Sequence, residues 1–148
     1  MFRFRLDFLL RYRRQLEEAE MYELANKVRG AIQIRDELTM VRTRTSELVD
    51  SARQRTSAKI TAPVLALYSN YLHELRKRDL AEQRRLAQAE QEVETQRNVL
   101  AKASIERKAI EKLEELEKKS FVETNLRREQ KMFDETASLK FARKHDDE

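Results

Sequence analysis

The sequence predicts an all-α chain, folded as an antiparallel two-helix coiled-coil hairpin whose second helix overhangs the first. Three observations carry this. After Pro63 the chain reaches residue 148 without a Gly or another Pro, where a globular chain would place a breaker roughly every ten to twenty residues. Charged side chains make up 39% of the 148 residues and mean hydropathy is −0.83, which leaves too little apolar surface for a two-layer core. The apolar residues that remain recur in heptads, in two blocks that can be laid against each other. Disorder is the rival for a chain this polar, and the sustained periodicity stands against it except at the two ends.

The first helix is expected over about Phe4–Thr56. Leu24, Ala31, Leu38, Thr45 and Ala52 share one seam position, and Ile34, Val41 and Leu48 share the other. Ala and Thr make this a thin seam. Gly30 sits inside the pattern and costs about 1 kcal/mol relative to Ala in a helix interior. A tight turn is expected over residues 57–62, within SAKITAP, because Thr61 is a fair N-cap and Pro63 suits a first helical turn.

The second helix is expected from about Pro63 to Ala142. Its seam reads Leu65, Leu72, Asp79, Leu86, Val93 and Leu100, with Tyr68, Leu75, Glu82, Ala89, Gln96 and Ala103 between them. Asp79, Glu82 and Gln96 are polar seam residues that set register at some cost in stability. Past Ala103 the register is expected to break, with apolar residues resuming at Ile110, Leu113 and Leu116.

The two seams fit one antiparallel pairing. Leu24 with Leu100, Ala31 with Val93, Leu38 with Leu86 and Ala52 with Leu72 have numbers that add to 124, whose half, 62, falls in the expected turn. This favours one hairpin of 148 residues over a parallel dimer. On that pairing Met1 faces a residue near Lys119–Val122, so the helix after about Val122 has no partner within the chain. The overhang carries Val122, Leu126, Phe133, Ala137 and Phe141 along one side, at spacings of four and seven. Two readings of this stripe stand: fraying or self-association, and insertion into a partner's cavity. Phe2, Phe4, Leu6, Phe8, Leu9, Leu10 and Tyr12, apolar on more than one face, favour the second, and place both sticky ends at one tip of the hairpin.

Several function classes find no support. Zero Cys excludes disulfides and thiolate chemistry, and fits a reducing compartment. No window approaches the ~20 apolar residues of a membrane span, and Arg3, Arg5 and Asp7 interrupt the start, so a secretory signal is not expected. Gly30 stands alone, so no phosphate-cradling loop exists. His73 and His145 are far apart and lack metal-ligand spacing. No enzyme activity, cofactor or metal is expected. The Arg runs at Arg11–Arg14, Arg84–Arg85 and Arg127–Arg128 have acidic residues within one or two turns, as solvated helix faces do. With a net charge of only +4, nucleic acid binding and direct membrane insertion are not expected.

Three blocks carry a resemblance to a known family: FRFRLDFLLRYRRQLEEAEMYELA near the start, Tyr68-x-x-Tyr71-Leu72-x-x-Leu75, and Glu129-Gln130-Lys131-x-x-Asp134-Glu135. Together they resemble the FliJ family of bacterial flagellar protein export, over nearly the whole chain. The resemblance implies a cytoplasmic, non-enzymatic stalk, peripheral to the inner membrane at the flagellar base. Such a stalk resembles the γ subunit of rotary ATPases; it enters the ring of the hexameric export ATPase, FliI, and contacts the export gate, FlhA, and export chaperones. Carried onto this sequence, the ring-facing residues are Phe4, Phe8, Arg11, Arg14, Leu126, Glu129, Phe133 and Asp134. The gate-facing ones are Tyr68, Tyr71 and Leu75; Tyr68 and Leu75 also lie in the seam, and Tyr71 lies off it. Arg78 departs from the family pattern, which often has a small or apolar residue there. Against this reading stand a generic coiled-coil adaptor or holdase chaperone, and a basic coiled coil on nucleic acid or membrane.

Overall fold

A computed structural model describes residues 2–56 and 60–146, leaving aside the side chains of Thr56 and of residues 141–146. They form two helices, α1 (Asp7–Thr56, 50 residues) and α2 (Ala62–Asp146, 85 residues), packed against each other as the expected hairpin. Helix α1 starts a few residues later than expected. The Leu10 N–H donates to the Leu6 carbonyl at 2.9 Å, closing the first turn, and the Asp7 carboxylate sits where the helix dipole favours negative charge. At the start of α2, the N–H groups of Val64 and Leu65 donate to the Thr61 carbonyl at 3.1 and 3.2 Å. Thr61 is therefore the capping residue, and Pro63, second in the helix, forfeits an N–H that had no intrahelical partner. Residues 57–59 of the expected turn lie outside the described residues.

The chain divides into two compact units, residues 18–101 and residues 1–17 with 102–148. In the first, the heptad seam is what folding buries. Ala31, Leu38, Val41, Leu75 and Val93 are buried, and Leu24, Ile34, Leu48, Leu72, Leu86 and Leu100 are half-buried. Leu65 is the exception at 57% exposure; its counterpart on the 124 pairing, Lys59, lies outside the described residues. Cross-helix ion pairs flank the seam: Arg35 to Glu90 at 2.8 Å, Arg42 to Asp79 at 2.9 Å and Arg85 to Glu37 at 3.3 Å. Gln96, the one polar residue buried among those described, donates through Nε2 to the Glu20 carboxylate at 2.5 Å and to its carbonyl at 3.3 Å. A buried amide satisfied this way disfavours slipped registers, since a slip would leave it unpaired.

In the second unit the register does not break past Ala103, contrary to the sequence reading. Ala103 is buried, and Arg107, Ile110 and Glu114 continue its heptad positions half-buried. On α1 the seam likewise runs back through Glu17 to Leu10, which is only 2% exposed. Charged residues stand at seam positions here because they pair with each other. Arg107 and Glu17, whose numbers add to 124, form an ion pair, and Arg107 also pairs with Glu111.

Candidate partner-binding surfaces

In the unit built from residues 2–17 and 102–146, three cross-helix pairs join the segments: Arg13 with Glu106, Arg14 with Glu111 at 3.1 Å, and Arg107 with Glu17. The Arg107 guanidinium, with help from the Ser104 hydroxyl, holds the Glu17 carboxyl below its ordinary value. Arg14, then Arg107, does the same for Glu111. The two carboxylates in turn raise the Arg107 guanidinium. The network is therefore fixed in its charged form at neutral pH.

Beside it the first residues pack down. Phe4 is buried at 9% exposure, Leu6 and Leu9 are half-buried, and the Phe2 ring meets Phe121 with centroids 5.6 Å apart in a tilted arrangement. Phe8 points the other way, at 82% exposure. Of the residues carried over as ring-facing, Phe4 is thus buried within this unit. Arg14 is tied to Glu111, and Arg11 pairs with Asp7 on its own helix.

From residue 115 to residue 140 of α2, Asn125 alone among the described side chains is even half-buried. Val122, Leu126, Met132, Phe133 and Leu139 are exposed, Phe133 to 74%, and Glu129 and Asp134 lie open beside them. The hydroxyls of Thr124, Thr136 and Ser138 donate to carbonyls one turn back on their own helix, at 2.7–2.8 Å. These hydroxyls are therefore satisfied locally, while the apolar side chains of the stretch, apart from Phe121 against Phe2, are covered by nothing described. Phe141 and His145 belong to the side chains outside the description.

In the 18–101 unit, two open clefts flank the seam pair Leu48 and Tyr68 near the start of α2. One, of about 540 Å³, is lined by Val64, Leu67 and Tyr71 with Arg55. The other, of about 640 Å³, is lined by Val49, Ala52, Leu65, Ala66 and Leu72 with Arg53. Of the three residues carried over as gate-facing, Tyr71 is 49% exposed in the first cleft, Tyr68 is half-buried between the two, and Leu75 at 2% is core. A 2%-exposed leucine holds the helices together and offers a partner nothing in this conformation. Sequence reasoning missed the clefts. Their signal was Val64, Leu65, Leu67 and Tyr71 in one short stretch, more apolar residues than a two-helix seam consumes.

The family model described as "Flagellar FliJ protein" matches residues 2–146, which takes in both helices and both units. The chain belongs to the FliJ family. It is a flagellar export-related protein. No curated protein and no solved structure matches it. Among the described residues no helix is long and apolar enough to cross a membrane, and no group of three or more His, Cys, Asp or Glu is placed to hold a metal ion. Membership also accounts for how the sequence alone could point to the family: the matched span contains the N-terminal block, the Tyr68–Leu75 block and the Glu129–Glu135 block.

Proposed function

We propose that this FliJ-family chain is a non-enzymatic stalk of the export machinery, inserting into the hexameric export ATPase, FliI, promoting its ring and linking it to the gate, FlhA. One observation carries the reading. Residues 122–140 form a helical stretch with an apolar stripe and no cover among the described residues, and exposed Phe and Leu at helical spacing ask for a surrounding apolar wall. A ring's central hole supplies such a wall on all sides, where a flat partner would leave Phe133 and Met132 half in water. Phe8, Leu126, Glu129, Phe133 and Asp134 are the side chains free to make that contact. Tyr71, with Tyr68 beside it, is the contact to the gate.

The test is truncation after Val122. The shortened chain keeps its helical circular dichroism signal per residue and its cooperative unfolding, and no longer stimulates ATP hydrolysis or ring formation by the export ATPase. Undiminished stimulation would sink the stalk role. For the gate, Tyr71→Ala weakens affinity for its cytoplasmic domain without changing thermal unfolding, since the ring is exposed; unaltered affinity would remove Tyr71 from that contact. A holdase chaperone, by contrast, would suppress client aggregation with no ATPase present.

A further inference from the structure

Of the two clefts near the start of α2, the larger has no assigned role. It lies on the side of the seam away from Tyr71 and is floored by the seam residues Ala52, Leu65 and Leu72. Val49 and Ala66 also line it, and Leu80 stands exposed at the continuation of the same side, in a neighbouring hollow that also holds Arg42, Arg76 and Asp79. The stretch of α2 involved, Ala62 to Leu80, spans about 27 Å at 1.5 Å per residue, or five turns. Ala52, Ala62, Ala66 and Ser69 are the small residues of the lining, so another helix can approach to the 8–10 Å axis separation at which helices interdigitate.

The charges along this cleft are of one sign once internal pairs are set aside. Arg42 and Asp79 satisfy each other at 2.9 Å, and the Asp79 carboxylate also accepts from Gln83. Arg53, on the rim, and Arg76, one turn beyond Leu72, have no ion-pair partner among the described residues. We propose that this cleft seats an amphipathic α-helix of a separate protein, about five turns long, whose apolar edge is flanked by Asp or Glu that meet Arg53 and Arg76. A second copy of this chain is the poorer occupant, because face-to-face docking would bring like-charged Arg53 and Arg76 together. A lipid surface is flat and would leave the floor of a concave cleft unfilled.

The test uses the full chain and a fluorescein-labelled 18-residue helical peptide with Leu at its a and d positions and Glu at its e and g positions. A matched peptide with Lys in place of Glu is the control. The acidic peptide binds, and Arg53→Glu combined with Arg76→Glu weakens it by about tenfold or more. Ser69→Trp, which plugs the cleft from its exposed edge, does the same with the charges intact, while Tyr71→Ala in the other cleft leaves affinity within about twofold. Circular dichroism checks that each variant keeps its helices. Equal binding of the Lys peptide, or no response to both cleft variants, would overturn the proposal. So would sedimentation showing a dimer that Leu65→Glu dissociates, or phosphatidylglycerol vesicles being bound through Arg53 and Arg76 while the acidic peptide is not.

Discussion

Leu38 and Leu75 are buried in the 18–101 unit, whereas Leu126 and Phe133, set in the same helical periodicity, lie open on residues 115–140 of α2. Both stretches are helical, both are rich in Glu, Lys and Arg, and both repeat their apolar residues at four and seven. What separates them is whether the chain supplies an opposing stripe. For residues 18–101 it does, and burial of that stripe holds two helices that would be marginal alone. For residues 122–140 no segment of α1 remains to oppose it. The same pattern that reads as core in one stretch therefore reads as a contact surface in the other, and burial rather than periodicity tells them apart.

That contrast can be broken most directly by truncating one leucine and one phenylalanine. Leu75→Ala removes a side chain that is 2% exposed and leaves a cavity, so it destabilises by about 2–4 kcal/mol in urea or thermal unfolding. Phe133→Ala removes a larger side chain that is already 74% exposed and changes stability by less than about 0.5 kcal/mol. A loss at Phe133 comparable with that at Leu75 would mean the stripe is covered in solution, by self-association, and the contrast would collapse.

A smaller effect is expected where charges occupy the seam. Arg107→Ala strips the partner from Glu17 and Glu111 and lowers the midpoint of thermal unfolding at pH 7 by a few degrees. The sign with pH is set by the carboxyls. Both are held below their ordinary value when folded, so their contribution is fully present above the unfolded value of about 4.3 and is lost as pH falls through the lowered folded one. The unfolding midpoints of the parent chain and Arg107→Ala should therefore converge as pH drops below about 4.3. A gap that persists in acid would assign Arg107 a role in packing through its stem instead of its charge.

The Arg107–Glu17 pair also marks where the sequence stopped being legible. Apolar seam residues announce themselves by spacing, and the pairing that adds to 124 follows from Leu24, Leu38, Leu86 and Leu100 alone. A seam position filled by Arg or Glu looks like solvent-facing surface unless its counterpart is known, so the spacing reads as a break past Ala103 where the register continues through Arg107 and Ile110. Leu65 fails in the other direction. It keeps heptad spacing yet is exposed, because spacing says which side a residue faces and not how far it is buried. The surfaces were half legible: the bare stripe beyond Val122 follows from counting, while the two clefts beside Leu48 and Tyr68 depend on how far the helices stand apart. Phe4 could not be assigned from sequence for a similar reason, since its burial is a matter of three-dimensional fit.

The mildest test asks whether the 18–101 unit is held by its seam alone. Gly30 lies in the interior of α1, its φ is negative, and a Cβ added there would meet nothing within 4 Å. No backbone conformation and no close neighbour requires glycine at this position. Gly30→Ala should then stabilise the unit by about 0.5–1 kcal/mol, through lower conformational entropy of the unfolded chain and better helix propensity, since the added methyl packs against nothing. Thermal unfolding measures this, and the export ATPase stimulation expected of the chain should be unaltered. If the variant is more stable but stimulates less, the weak point at Gly30 serves the coupling itself, and flexibility within the covered unit would matter as much as the uncovered stripe.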